Sequence, residues 1–99
     1  MESIKPDELR DRGARLKVFD IRKNPDERRI PGSVPADGAA LESGGELPFE
    51  RDEEVVLYCG SGNSCSRIAK ALRERGYRTT ALEGGYRAWV EAGFPTEER

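Results

Sequence analysis

The stretch Val55-Val56-Leu57-Tyr58-Cys59-Gly60-Ser61-Gly62-Asn63-Ser64-Cys65-Ser66-Arg67 joins two kinds of pattern. Its first four residues are an unbroken apolar run, the signature of a strand buried on both faces. Further on, Cys65, Ile68, Ala69 and Leu72 fall at i, i+3, i+4 and i+7 and line one side of a helix, with Gly76 as its stop. Between strand and helix, Gly60 to Ser64 are residue types that let a backbone curl and turn its N–H groups inward. Such a curl is an anion-binding nest, and the helix behind it adds a positive dipole end. Cys59 stands at the mouth of this arrangement, which favours its charged form. The sequence therefore predicts a thiolate near neutral pH and a nucleophilic cysteine.

Working outward, strands and helices alternate. Met1 to Ile4 reads as a short edge strand, and Pro6 to Arg12 as a short helix with acidic residues early, basic ones late and Gly13 as its stop. Leu16 to Ile21 is a strand, and Asn24 to Glu27 a turn leading into one irregular helical turn. Ile30 to Pro35 has too much proline for a central strand and reads as an extended edge segment. Ala36 to Asp52, with Gly38, Gly44, Gly45 and Pro48, reads as loop with a short helical turn near Pro48-Phe49. Thr79 to Leu82 is another strand, Glu83-Gly84-Gly85 a turn, and Tyr86, Trp89 and Val90 form a last helical face ending near Gly93. This alternation predicts an α/β domain with a mostly parallel sheet. Ligands of such sheets bind beyond the strand carboxyl ends, where Cys59 lies at one end and Asp20 with Arg22 at another.

Bulk composition excludes several classes. The chain has 99 residues, enough for one modest core, and is 36% charged with a net charge of -2. Its charges are interleaved, so no basic face argues for nucleic acid. No apolar run nears the ~20 residues of a membrane span, and the N-terminal stretch lacks the apolar core of a signal peptide, so a cytoplasmic location is expected. With two cysteines and no histidine, neither a zinc site nor a Cys–His catalytic pair can be assembled. No metal or other cofactor is implied. A cysteine activated by backbone amides and a helix end needs no histidine.

Each candidate also has a plainer role. Cys59 as an inert buried cysteine would leave the Gly-Ser-Gly-Asn loop without a purpose, so the catalytic role is preferred. Cys65 either resolves an oxidised Cys59 by forming a disulfide or packs on the helix face with Ile68, Ala69 and Leu72. Packing is preferred, because a disulfide needs Cα atoms within about 7 Å. Asp20 is read as a supporting group that caps loop amides. Arg22 either touches substrate or pairs with Asp20. Ser61 and Ser64 offer hydroxyls to a bound group or simply stabilise the turn. Gly84-Gly85 and Trp89 read as fold elements, and Arg28-Arg29, Arg67 and Glu97-Glu98-Arg99 as solvated surface.

Four motifs in order give the chain a wider resemblance: Phe19-Asp20-Ile21-Arg22, Ile30-Pro31-Gly32-Ser33, Val56-Leu57-Tyr58-Cys59 with Ser61-Gly62-Asn63, and Leu82 to Trp89. Together they resemble single-domain rhodanese-like sulfurtransferases over most of residues 1–99. The resemblance implies a rhodanese-like α/β fold with a largely parallel five-stranded sheet flanked by helices. It implies that Cys59 takes a sulfane sulfur from a small-molecule or protein-bound donor and passes it, as a persulfide, to a thiol or cyanide acceptor. The amides of Gly60, Ser61, Gly62, Asn63, Ser64 and Cys65 would cradle that persulfide, with Arg22 near the mouth. Three positions depart from the family pattern. Gly60 stands where a basic residue is common, Ser64 where a basic or hydroxyl residue is common, and Arg29 replaces a usual histidine. Without a cation in the loop, a doubly anionic donor such as thiosulfate loses charge-assisted contacts of ~1.5–3 kcal/mol each. A persulfide donor is therefore expected to be preferred. The alternatives are a phosphatase, for which the arginine needed six residues after the cysteine is replaced by Cys65, and a non-enzymatic binding or redox-sensing module using Cys59 and Cys65.

Overall fold

The computed structural model describes residues 3–23, 27–43 and 47–98. Its centre is the predicted apolar strand, β5 (Glu54–Tyr58), flanked by β2 (Lys17–Asp20) and β6 (Arg78–Leu82). The edges are β1 (Ser3–Ile4), paired with β6, and β4 (Val34–Pro35), paired with β2. All pairings in this five-stranded sheet are parallel, in the order β1-β6-β5-β2-β4. The strand pattern predicted a mostly parallel α/β sheet, and the resemblance to rhodanese-like domains implied its five strands flanked by helices.

Alternation along β5 sorts the core. Val55 and Leu57 face a cluster with Phe19, Ile21, Leu41, Phe49, Cys65, Ile68 and Leu72, while Val56 and Tyr58 face Ile4, Leu9, Val18, Ile30, Leu82 and Trp89. One face is covered by α2 (Gly38–Glu42) and α3 (Asn63–Glu74), the other by α1 (Pro6–Arg12) and α4 (Gly85–Glu91). Cys59 continues the Val55, Leu57 alternation and so emerges on the α3 face. Tyr58 turns the other way, where its hydroxyl accepts the Ile30 N–H at 3.2 Å and lies 2.9 Å from Ser33 Oγ.

α1 stops at Gly13 as expected, and Gly13, with φ -51°, leads on into a 3-10 turn through Arg15. Several expectations are corrected. Pro31-Gly32 make a turn, with Ser33 N–H bonded to Ile30 O at 3.0 Å, so only Val34–Pro35 is strand. The helix between residues 36 and 52 is α2, started by the Asp37 carboxylate accepting the Ala39 N–H at 3.0 Å, and not a turn at Pro48-Phe49. Val90 is 49% exposed; α4 buries Trp89, while Tyr86 is half-buried. Arg28-Arg29 and Glu97-Glu98 are not merely solvated: they form an antiparallel two-stranded ribbon, β3 (Arg28–Arg29) with β7 (Glu97–Glu98), and Arg29 forks onto Glu97 at 2.7 and 2.9 Å. Of the turn expected at Asn24 to Glu27, residues 24–26 lie outside the described residues.

Candidate active site

α3 begins without a conventional cap. Its N-cap is Gly62, in the left-handed region at φ 96°, and no side chain of its own caps the first turn. The sulfur of Cys59 fills that role. Cys59 Sγ accepts the Gly62 N–H at 3.1 Å and the Cys65 N–H at 3.3 Å. An anion here meets the otherwise unpaired donors and the positive end of a 12-residue helix.

The thiol of Cys59 is accordingly pulled down to about 5. The largest cause is the Cys65 thiol acting as a donor; the amides of Cys65, Gly62 and Ser64 add to it, and burial opposes it. Cys65 Sγ also has neutral acceptors, Gly62 O at 3.4 Å and Leu82 O at 3.9 Å. Once Cys59 is ionised, the charged sulfur is the stronger attraction for that proton. The Cys65 thiol is correspondingly pushed up, first by the negative sulfur beside it and then by burial.

The loop is held from behind by α4. Tyr86 N–H donates to Cys59 O at 2.8 Å and Arg87 N–H to Gly60 O at 3.0 Å. With these carbonyls drawn toward α4, the amides of the loop are left to face the sulfur. Close approach requires Gly85: a Cβ there would lie 2.5 Å from Cys59 O, 2.7 Å from Gly62 N and 2.9 Å from Gly60 O. The Gly84-Gly85 pair, read from the sequence as a turn, therefore also makes room for the Cys59 loop.

Cys59, 6% exposed, opens onto a cleft of about 990 Å³. Gly60, Ser61 and Ser64 line it on the loop side. Its other walls are the end of β2 with Arg22 and Lys23, and α2 with Asp37, Gly38 and Glu42. This second wall, including the acidic pair, was not foreseen because α2 itself was read as loop. Arg67 lines the cleft and is ion-paired with Glu42. Asn63 is exposed and lies off the cleft wall.

Asp20 and Arg22 are joined in a buried pair. The guanidinium meets the carboxylate at 2.7 to 3.1 Å, donates to Arg28 O at 2.7 Å, and stacks over Tyr86 at 4.1 Å. Asp20 also accepts the Arg22 backbone N–H at 3.0 Å. These bonds anchor one wall of the cleft. Among the described residues no group of three or more His, Cys, Asp or Glu is gathered to hold a metal, and no helix is long and apolar enough to cross a membrane.

The profile of the rhodanese-like domain matches residues 5–92. The chain belongs to the rhodanese-like domain family. YtwF of Bacillus subtilis, provisionally named a sulfurtransferase, is 33% identical to this rhodanese-like chain over 79 residues, covering 75% of this chain and 73% of that protein. The tRNA sulfurtransferase of Desulfurococcus amylolyticus is 33% identical over 79 residues, 75% of this chain but 15% of that larger protein. The crystal structure of a rhodanese-related protein from Thermoplasma volcanium superposes with a TM-score of 0.85 at 25% identity, covering 98% of both chains. The rhodanese-like domain thus shares its family with proteins named as sulfurtransferases.

Proposed function

We propose that this rhodanese-like domain is a sulfurtransferase in which Cys59 carries a sulfane sulfur as a persulfide. The observation that carries the reading is the Cys59 sulfur itself, seated on the N–H groups of Gly62 and Cys65 at the mouth of a cleft. In the first step the Cys59 thiolate attacks the outer sulfur of a donor. A new S–S bond forms, the donor's S–S bond breaks, and its electron pair leaves with the departing thiolate or sulfite. In the second step an acceptor thiolate or cyanide attacks the outer sulfur, and Cys59 leaves as a thiolate. The same donors that lower the Cys59 thiol stabilise it as nucleophile first and leaving group second.

The donor class we favour is a persulfide, small or protein-bound, over thiosulfate. Of the cations on the cleft wall, Arg22 and Arg67 are already engaged by Asp20 and Glu42, which leaves the exposed Lys23, and Gly60 and Ser64 add no charge to the loop beside the sulfur. A phosphatase reading is weaker, because Cys65 offers phosphate no bidentate clamp.

Intact mass after brief exposure to a persulfide, then to cyanide, tests the proposal. Wild type is expected to gain one sulfur mass that cyanide removes, and Cys59→Ser to gain none. Loading retained in Cys59→Ser, or no loading of a wild type whose Cys59 still alkylates, would overturn it.

A further inference from the structure

The mechanism above uses the backbone N–H of Cys65 and the proton of its thiol, but not its sulfur as a nucleophile. That sulfur is fully buried directly behind Cys59, whereas Cys59 alone of the two reaches the cleft. The two side chains bracket one residue: Cys59 Sγ sits on the N–H of Gly62 at 3.1 Å and Cys65 Sγ on its carbonyl at 3.4 Å. The Cys65 N–H lies 3.3 Å from Cys59 Sγ. One further N–Cα bond of about 1.46 Å puts the Cys65 Cα within about 4.8 Å of the Cys59 sulfur. A Cα that near the partner sulfur leaves the S–S bond of about 2.05 Å to be closed by rotation of the two side chains, with the Cα atoms still to settle into the about 4.4–6.8 Å usual for disulfides.

We infer that Cys59 and Cys65 form a reversible intramolecular disulfide when Cys59 is oxidised by a hydroperoxide, so that Cys65 is a resolving thiol for the sulfur carrier. The inference rests on the nucleophilic Cys59 of the reading above, though not on sulfur transfer itself. The Cys59 thiolate attacks the peroxide oxygen, the O–O bond breaks, and a sulfenic acid forms while hydroxide or alkoxide leaves. Cys65 then attacks the sulfenic sulfur. An S–S bond forms, the S–O bond breaks, and the hydroxyl departs with the Cys65 proton as water. Peroxide is the two-electron oxidant, and each cysteine ends as half of the disulfide.

The order of events is built into the pair. While Cys59 is a thiolate, it is the main cause, ahead of burial, that holds the Cys65 thiol above its ordinary range. A sulfenic acid is neutral, so oxidation of Cys59 removes that restraint and frees Cys65 to react. An oxidant entering from the cleft meets Cys59 first, because Cys65 has no solvent-exposed surface.

The test is intact mass of the full chain after a few equivalents of hydrogen peroxide, with and without dimedone to trap sulfenic acid. Wild type is expected to lose about two hydrogen masses, to resist dimedone, and to return to the starting mass with dithiothreitol. Cys65→Ser, with Cys65→Ala as a second variant, is expected to carry dimedone on Cys59 and to advance to the sulfinic acid without it. Wild type trapped by dimedone as fully as the Cys65 variants, or advancing to sulfinic acid at their rate, would overturn the inference. Iodoacetamide labelling run alongside separates the two failures. A Cys59 that alkylates but never closes refutes the disulfide alone, and a Cys59 inert to both reagents refutes the thiolate on which both readings rest.

Discussion

Gly85 lies so close to Cys59 that a single added methyl group would stand 2.5 Å from the Cys59 carbonyl oxygen and 2.7 Å from the Gly62 nitrogen, the same nitrogen whose hydrogen points at the Cys59 sulfur. Gly84 provides a matched control. Both glycines have positive φ, 74° and 63°, so alanine at either costs ~1–2 kcal/mol of backbone strain. A Cβ on Gly84 also collides, at 2.5 Å, but with Ala88 Cβ on α4 and not with the Cys59 loop. Gly84→Ala is therefore expected to lower stability and leave the Cys59 titration in place. Gly85→Ala should also move that titration upward by about one to two pH units, the loss of one charge-assisted hydrogen bond. The midpoint of iodoacetamide labelling against pH reads this directly. Equal midpoints in the two variants would refute the positioning role of Gly85.

The pH profile of wild type follows from the depressed Cys59 thiol. Labelling should rise around pH 5 and be flat above about pH 7, where an ordinary cysteine, near 9, is still climbing. The linked effect on stability has a definite sign. A folded value below the unfolded one contributes stability that is present in full above the unfolded value and is lost as pH falls through the folded one. Between about pH 9 and pH 5, wild type should thus lose stability relative to Cys59→Ser as the solution is made more acidic. Denaturant midpoints of the two proteins at both pH values check this, and a constant difference between them would contradict it.

Tyr58 supplies a test on the opposite face of the sheet. Its hydroxyl is buried against Ile30 N–H and Ser33 Oγ, and burial pushes its phenol up to about 12. A folded value raised above the unfolded 10 stabilises in full below pH 10 and is lost as pH rises toward 12. Tyr58→Phe leaves both partners unpaired, at a cost of ~1–3 kcal/mol at neutral pH. It should also remove this part of the alkaline sensitivity, which urea titrations at pH 7 and 10.5 would reveal.

Asp20 and Arg22 are buried together, with side chains 4% and 7% exposed. Asp20→Ala would strand a buried guanidinium, and ~3–5 kcal/mol of destabilisation is expected. Adding Arg22→Met should recover part of that loss, since the uncompensated charge is then gone. Urea denaturation of the single and double variants decides the point; a single variant within 1 kcal/mol of wild type would sink it.

What the sequence made legible was whatever repeats or has distinctive chemistry. The apolar run of β5, the helical face of α3 and the Cys59 loop were readable because period and residue type agreed. α2 was missed because Pro35, Gly38 and Gly44-Gly45 outweighed Asp37 as a helix start. The β3–β7 ribbon was missed because two-residue strands whose partners, Arg28 with Glu98 and Arg29 with Glu97, lie at opposite ends of the chain have no period to read. The support of the loop by Gly85 was invisible for a related reason: a glycine's need for space depends on which backbone comes near it, and that is a tertiary fact. Cys65 was legible in two ways: its helical spacing predicted its packing, and the resemblance put its amide among those facing the sulfur, where its N–H lies 3.3 Å from Cys59 Sγ.

The absence of a cation from the loop can be reversed at Gly60. A Cβ there meets nothing within 4 Å, the residue is exposed, and its φ is not positive, so Gly60→Arg introduces a side chain without backbone strain or collision. Gly60 lines the cleft beside Cys59, which places the new guanidinium where a dianionic donor would bind. One such contact is worth ~1.5–3 kcal/mol. Loading of Cys59 by thiosulfate should then rise about 10- to 100-fold, while loading by a persulfide bearing a single charge changes far less. Single-turnover mass measurements with both donors give the ratio. If Gly60→Arg raised both equally, the new cation would be activating Cys59 itself. If it raised neither, loop charge would not set donor preference, and the explanation would move to the cleft walls of Lys23, Asp37 and Glu42.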